Sequence, residues 1–198
     1  MIAGLLLASG ASRRFGSNKL VAPLDGRPVV RWSAEALASA VEETWVVVSA
    51  QSAEVREALD GLPVRWVENR AAHEGMASSI RAGIAALPPS VEAAVITLGD
   101  QPLIDADVIR RVVVAWRAAP TPHGAVVTAY KDGRGHPVVF GAALFPGLLA
   151  LEGDRGARDL LVSLGEAVAV VDVPRARPVD VDTPEMLALL ARGGGRSS

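Results

Sequence analysis

Ile2-Ala3-Gly4-Leu5-Leu6-Leu7-Ala8 runs directly into Ser9-Gly10-Ala11-Ser12-Arg13-Arg14-Phe15-Gly16-Ser17-Asn18-Lys19. The first part is apolar throughout, so it reads as a strand covered on both faces, as parallel strands are. It is far short of the ~20 residues that span a bilayer. No basic residue precedes it, whereas Arg13, Arg14 and Lys19 follow, which is the wrong order for a secretory leader. The second part joins small residues to cations. Backbone N–H groups open to close approach, with cations nearby, suit a polyphosphate. Ligands of open α/β sheets also bind outside the carboxyl ends of the strands. An exposed turn with solvated cations is the plainer alternative, but it needs no such density of small residues after a core strand. Two familiar phosphate loops do not fit. Between Gly10 and Gly16 the middle glycine of G-x-G-x-x-G is missing, and Lys19 stands too far beyond Gly16 for a P-loop, with Leu20 in place of its Ser/Thr.

The surrounding chain has 198 residues, 50% hydrophobic and 21% charged, enough apolar material for one domain's core and too much for a disordered segment. Its formal net charge of −2 argues against a broad basic face for nucleic acid. With no cysteine there is no disulfide framework, thiolate metal site or cysteine nucleophile, and a cytoplasmic setting is natural. Three dispersed histidines do not make a zinc site.

Apolar runs recur at Ile2–Ala8, Thr44–Ser49, Val64–Glu68, Ala93–Leu98, Gly124–Tyr130, Val138–Phe140 and Val168–Val173. Helical patterns lie between most of them, at Val29–Ala40, Ser52–Leu59, Met76–Leu87 and Asp105–Ala119, and a last one follows Thr183-Pro184. Strands alternating with helices predict an α/β sandwich with a mostly parallel sheet. Lys131-Asp132-Gly133-Arg134 predicts a hairpin turn, hence an antiparallel excursion. Residues 1–192 are expected to form a single domain, with Gly193–Ser198 a flexible tail.

Two acidic stretches stand out. Asp100 follows a buried strand in Gly99-Asp100-Gln101-Pro102, where a carboxylate could hold Mg²⁺ against phosphate oxygens or merely close a turn. In Val179-Asp180-Val181-Asp182-Thr183-Pro184, alternation would turn both valines one way and both aspartates the other. By itself Asp182 reads as a helix cap. Ser78 and Ser79 fall in a first helical turn, where their hydroxyls could read a base or cap the helix.

The opening loop resembles the signature of the MobA-like nucleotidyltransferase superfamily, L-A-(A/G)-G-x-S-x-R-(M/F)-G-x-x-K, on Leu7, Ala8, Ser9, Gly10, Ser12, Arg14, Gly16 and Lys19. Gly-Asp-Gln-Pro, Asp-Val-Asp-Thr-Pro-Glu, the Gly-His-Pro at His136 and Gly153-Asp154-Arg155-Gly156-Ala157-Arg158 resemble motifs of its molybdenum cofactor cytidylyltransferase-like branch. The resemblance implies a three-layer Rossmann-like sandwich of the nucleotide-diphospho-sugar transferase type. It implies that Leu7, Ala8, Ser9, Gly10, Ser12, Arg13, Gly16, Gly75, Ser78 and Ser79 surround a nucleoside triphosphate. Lys19 and Arg14 would act on its phosphates, Asp100 and Asp182 would hold Mg²⁺, and His136, Asp154 and Arg155 would meet the acceptor.

The implied reaction is transfer of a nucleoside monophosphate to a phosphorylated acceptor such as molybdopterin, with pyrophosphate leaving. Neither nucleic acid nor membrane is expected as a partner, and a molybdoenzyme is the natural recipient. The chain itself would be a monomer or weak homo-oligomer. The third loop residue tends to be Gly in guanylyltransferases and Ala in cytidylyltransferases. Ser9 keeps the Cβ, which favours CTP by volume, while its hydroxyl leaves GTP open. A sugar or alcohol phosphate acceptor, guanylyl transfer and a non-catalytic maturation protein are the alternatives. As an exposed loop lysine, Lys19 is expected to contribute little to stability.

Overall fold

The computed structural model describes residues 1–10, 15–118, 124–153 and 156–192. The expected tail at 193–198, and the site residues Ser12, Arg13, Arg14, Asp154 and Arg155, lie outside them.

Strand β1 (Ile2–Ala8) is buried along its whole length. Its even positions Ile2, Leu6 and Ala8 join one core, and Leu5 and Leu7 join another on the opposite face of the sheet. Three layers result. A small hairpin of β2 (Pro23–Leu24) and β3 (Arg27–Pro28) leads into α1 (Val29–Ala38). There follow β4 (Glu43–Ser49), α2 (Ala53–Ala58), β5 (Val64–Asn69), α3 (Met76–Ala86), β6 (Ala93–Leu98) and α4 (Ala106–Ala118). The remainder is β7 (Ala125–Tyr130), β8 (Gly133–Gly141), α5 (Phe145–Leu149), α6 (Arg158–Leu164), β9 (Val168–Asp172) and α7 (Pro184–Arg192). Helices α1, α2 and α4 cover the first face, and α3, α5 and α6 the second. Among the described residues no helix is long and apolar enough to cross a membrane.

The sheet order is β5-β4-β1-β6-β8-β7-β9. Neighbours pair in parallel except at β8, which runs against both β6 and β7. This is the antiparallel excursion expected from the Asp132-Gly133 turn, and Gly133 takes φ +129° there. From β1 the chain winds outward through β4 and β5, then returns to the other side of β1 as β6. The carboxyl ends of β1 and β6 therefore flank the point where winding reverses, the usual ligand crevice of such sheets.

The alternation expected for Val179–Asp182 is not realised. Residues 173–182 form no strand. Val181 is fully buried with Leu24 and Val29, whereas Val179 is exposed. What fixes this segment is Val181 as a core anchor, together with its backbone N–H, which donates to the Asp100 carbonyl at 2.9 Å.

Candidate active site

Lys19 is positioned by a compact turn. Val21 N–H donates to the Asn18 carbonyl at 3.2 Å and Ala22 N–H to the Lys19 carbonyl at 3.3 Å. Leu20, buried in the core, prevents the turn from swinging out. The ammonium reaches two carboxylates, donating to Asp100 Oδ2 at 2.6 Å and to Asp182 Oδ1 at 2.8 Å. Asp100 arrives from the turn after β6, and Asp182 is brought beside it by the bond between Val181 and Asp100. Burial alone would lower the Lys19 pKa. The field of Asp100, then its hydrogen bond and those of Asp182, outweigh that and raise it.

Beside this triad, Gln101 donates from Nε2 to Asp180 Oδ1 at 2.5 Å. Asp180 is exposed as a residue, but its carboxylate end turns inward onto Gln101. Partial burial of that end, then the fields of Asp100 and Asp182, raise its pKa against the opposing pull of Gln101 and Lys19.

Two adjoining cavities lie under the β1 loop. One of about 450 Å³ is lined by Leu7, Ala8, Ser9, Gly10, Lys19, Gly75, Ser79 and Asp100, each singled out in the sequence as a nucleotide contact, phosphate-binding group or metal ligand. A neighbouring cavity of about 620 Å³ adds Gly16 to Ala8, Ser9 and Gly10. A Cβ on Gly10 would meet no protein atom within 4 Å, so the room it leaves belongs to the cavity. Gly16 takes φ +79°, the left-handed region that favours glycine. Ser78 lines neither cavity. Its hydroxyl donates back to the Gly75 carbonyl at 2.8 Å and accepts from Asn69 Nδ2 at 2.9 Å, so it caps no N–H of α3.

A third cavity, about 820 Å³, lies across Met76 and Leu98 from the first. Ile96, Val138 and Phe140 give it an apolar floor, and Arg134, Arg158 and Arg177 stand around it. His136 lines it too. Its Nδ1 is 3.2 Å from the Ile96 carbonyl. Burial lowers the His136 pKa, against the smaller opposing effects of that carbonyl and of Asp180 and Asp100. The neutral ring then carries its hydrogen on Nδ1, facing the carbonyl.

The donor set bears on a metal. Asp100 Oδ2 and Asp182 Oδ1 converge on one point from separate segments. Among the described residues no group of three or more His, Asp or Glu could hold an ion unaided. Two hard carboxylates that need completion by other oxygens fit magnesium, which is commonly bound through one or two carboxylates and substrate phosphates. Asn69, which opens the polar stretch running into α3, and Gln101, inside Gly-Asp-Gln-Pro, stand in motifs the sequence offers, but neither carried a site role of its own there.

Residues 4–170 match the MobA-like NTP transferase domain, and the chain belongs to that family. The purine catabolism protein PucB of Bacillus subtilis is 31% identical over 96% of this chain and 95% of its own. Molybdenum cofactor guanylyltransferase of Rhodobacter capsulatus is 32% identical over 94% of this chain and 93% of its own. A 2-C-methyl-D-erythritol 4-phosphate cytidylyltransferase of Synechococcus is 33% identical over 58% of this chain and 52% of its own. Among solved structures, Rv0371c of Mycobacterium tuberculosis superimposes with a TM-score of 0.83 at 30% identity, covering 97% of this chain and 98% of that one. The same protein is known as a manganese complex, with a TM-score of 0.79, 29% identity and coverage of 96% and 98%. The chain is thus a nucleotidyltransferase by family, with the three-layer fold of nucleotide-diphospho-sugar transferases. Asp182 lies beyond the matched span.

Proposed function

We propose that this chain transfers a cytidylyl group from CTP to a phosphorylated acceptor, of which molybdopterin is the favoured candidate, and releases pyrophosphate. The observation that carries the reading is the Lys19 ammonium between Asp100 and Asp182, beside the cavity under the β1 loop. The triphosphate would lie in that cavity, with Lys19 and the loop amides on its phosphates. The acceptor would occupy the 820 Å³ cavity, whose arginines suit an anion and whose apolar floor suits a flat ring. Its terminal phosphate is already anionic, so the reaction needs positioning and charge neutralisation more than a base. Asp100 and Asp182 would hold Mg²⁺, which when bound neutralises charge on the reacting phosphate oxygens. The manganese complex of Rv0371c supports a divalent ion in this family. Residues 1–192 would act as one unit, since α7 closes over Val181 and the β2–β3 hairpin. A cytoplasmic setting, with its supply of nucleoside triphosphates, goes with this reading.

Guanylyl transfer is the second reading, favoured by the Rhodobacter relative. The test is pyrophosphate release with each triphosphate against molybdopterin and against sugar and alcohol phosphates, in wild type and Ser9→Gly. Higher kcat/KM with CTP, relaxed toward GTP by Ser9→Gly, is the expected result. Preference for GTP in the wild type overturns the cytidylyl assignment.

A further inference from the structure

Gln101 holds a place that stability does not explain. It is only 8% exposed, and its Oε1 is buried without a hydrogen-bond partner among the described residues. A buried amide satisfied at one end costs stability relative to an apolar side chain of the same shape. The other end donates from Nε2 to Asp180 Oδ1 at 2.5 Å. That bond falls beside another, from the Val181 N–H to the Asp100 carbonyl at 2.9 Å. Two consecutive residues after β6 thus hold two consecutive residues of the late segment. Downstream of Asp182 the chain is fixed separately. The Thr183 hydroxyl accepts from the Met186 N–H at 3.3 Å, and Leu187 and Leu190 of α7 pack on the cluster that buries Val181. Upstream, the Arg177 N–H donates to Asp132 Oδ1 at 2.8 Å. Between these anchors, among the described residues, 178–180 make no hydrogen bond other than the one from Gln101. A buried valine and one backbone bond fix a point on this stretch but leave rotation about it. The tie at Asp180 removes that freedom, and Asp182 is the next residue on the other side of the pivot.

We propose that Gln101 is a positioning residue for the divalent ion: by clasping Asp180 it fixes the stretch that carries Asp182, so that Asp182 and Asp100 meet at one point. The inference rests on the reading of Asp100 and Asp182 as ligands of that ion. Neither Gln101 nor Asp180 touches the metal on this view. Without the clasp, the Asp182 carboxylate samples a wider range and the ion loses part of a preformed pair.

Mn²⁺ is the probe, because electron paramagnetic resonance counts the free ion directly. Its dissociation constant is measured on the full chain with CTP and without acceptor, so that neither turnover nor a contact with the acceptor enters. Gln101→Met, which fills the same space without the amide, should weaken Mn²⁺ by about tenfold, the lower end of what outer partners of metal ligands contribute. Asp180→Ala should do the same. Both changes together should cost no more than either, because they remove one bond. Asp180→Asn keeps an oxygen for Gln101 to donate to, and should bind Mn²⁺ within about twofold of wild type. CTP affinity in EDTA should be equal in all of them. Gln101→Met should melt no lower than wild type, since it removes the unpaired oxygen. Melting well below wild type would make Gln101 a residue of the fold and overturn the proposal. Weakening by Asp180→Asn as large as by Asp180→Ala would assign the effect to charge and overturn it too, as would losses that multiply in the double variant. If none of these changes weakens Mn²⁺ while Asp182→Asn does, the clasp fails and the metal reading stands. If Asp100→Asn and Asp182→Asn also leave Mn²⁺ binding intact, the metal reading itself fails.

Discussion

Lys19 joins the phosphate-binding role proposed for it to a structural one. Its side chain is only 12% exposed and its ammonium separates two carboxylates. The expectation that an exposed loop lysine contributes little to stability therefore gives way, because removing the cation leaves Asp100 and Asp182 facing each other. Lys19→Ala should cost about 1–3 kcal/mol, between the exposed and buried limits for ion pairs. Millimolar Mg²⁺ should recover part of that loss in the variant and change the wild type less. Thermal unfolding with and without the ion checks this, and an Mg²⁺ effect equal in both proteins would contradict it. His136 supplies a pH dependence. Its folded pKa lies below the ordinary 6.5, so the unfolded chain binds the proton more readily. The contribution to stability is full above pH 6.5 and is lost as pH falls from there through the folded value. His136→Asn should flatten the slope of unfolding free energy against pH in that acid window, as followed by urea titrations. The loop, Asp100 and Asp182 were legible because they sit in contiguous motifs. The bridge among them was not, since it depends on Val181 docking in a core that only the folded chain creates. Asn69 stood in the same polar stretch as Ser78 and Ser79, but its bonds to both hydroxyls form only once that stretch turns into α3 against the end of β5.

Strand β1 and helix α1 meet at Gly4, the one position in β1 without a side chain to bury. A Cβ there would lie 2.7–2.9 Å from the Cγ and both Cδ atoms of Leu37. Gly4→Ala should destabilise by about 1–3 kcal/mol through overpacking, lowering the urea midpoint with little change in slope. Combined with Leu37→Ala, it should lose less than the sum of the two singles, because truncation vacates the space the methyl needs. Simple additivity would place the crowding elsewhere. The parallel strands and four main helices were readable in outline, since β1 and β6 are apolar runs and α3 and α4 carry clear stripes. The β2–β3 hairpin was not, being two residues a side. Helix α5 opens Phe145-Pro146-Gly147, residues that read as a loop, and holds its place by burying Leu148. Helix α6 is short and buries none of its own residues fully, so its position comes from Leu160, Leu161 and Leu164 packing on the second core.

Across the whole molecule, the winding reversal between β1 and β6 places one cavity against another, with Met76 and Leu98 as common walls. On the proposed reading the two cavities hold both reactants at once, so neither has to leave before the other arrives. The acceptor can then strike the phosphorus directly while pyrophosphate departs on the far side. One displacement of that kind turns a tetrahedral centre inside out. A nucleotide made chiral at its α-phosphorus with sulfur should therefore emerge in the product with the opposite handedness. Retention would require two displacements and a nucleotide-bound enzyme between them, with the ping-pong kinetics such an intermediate produces. On the proposed reading, the strand order that sets the two cavities side by side would thus be reported by the configuration of a single phosphorus atom.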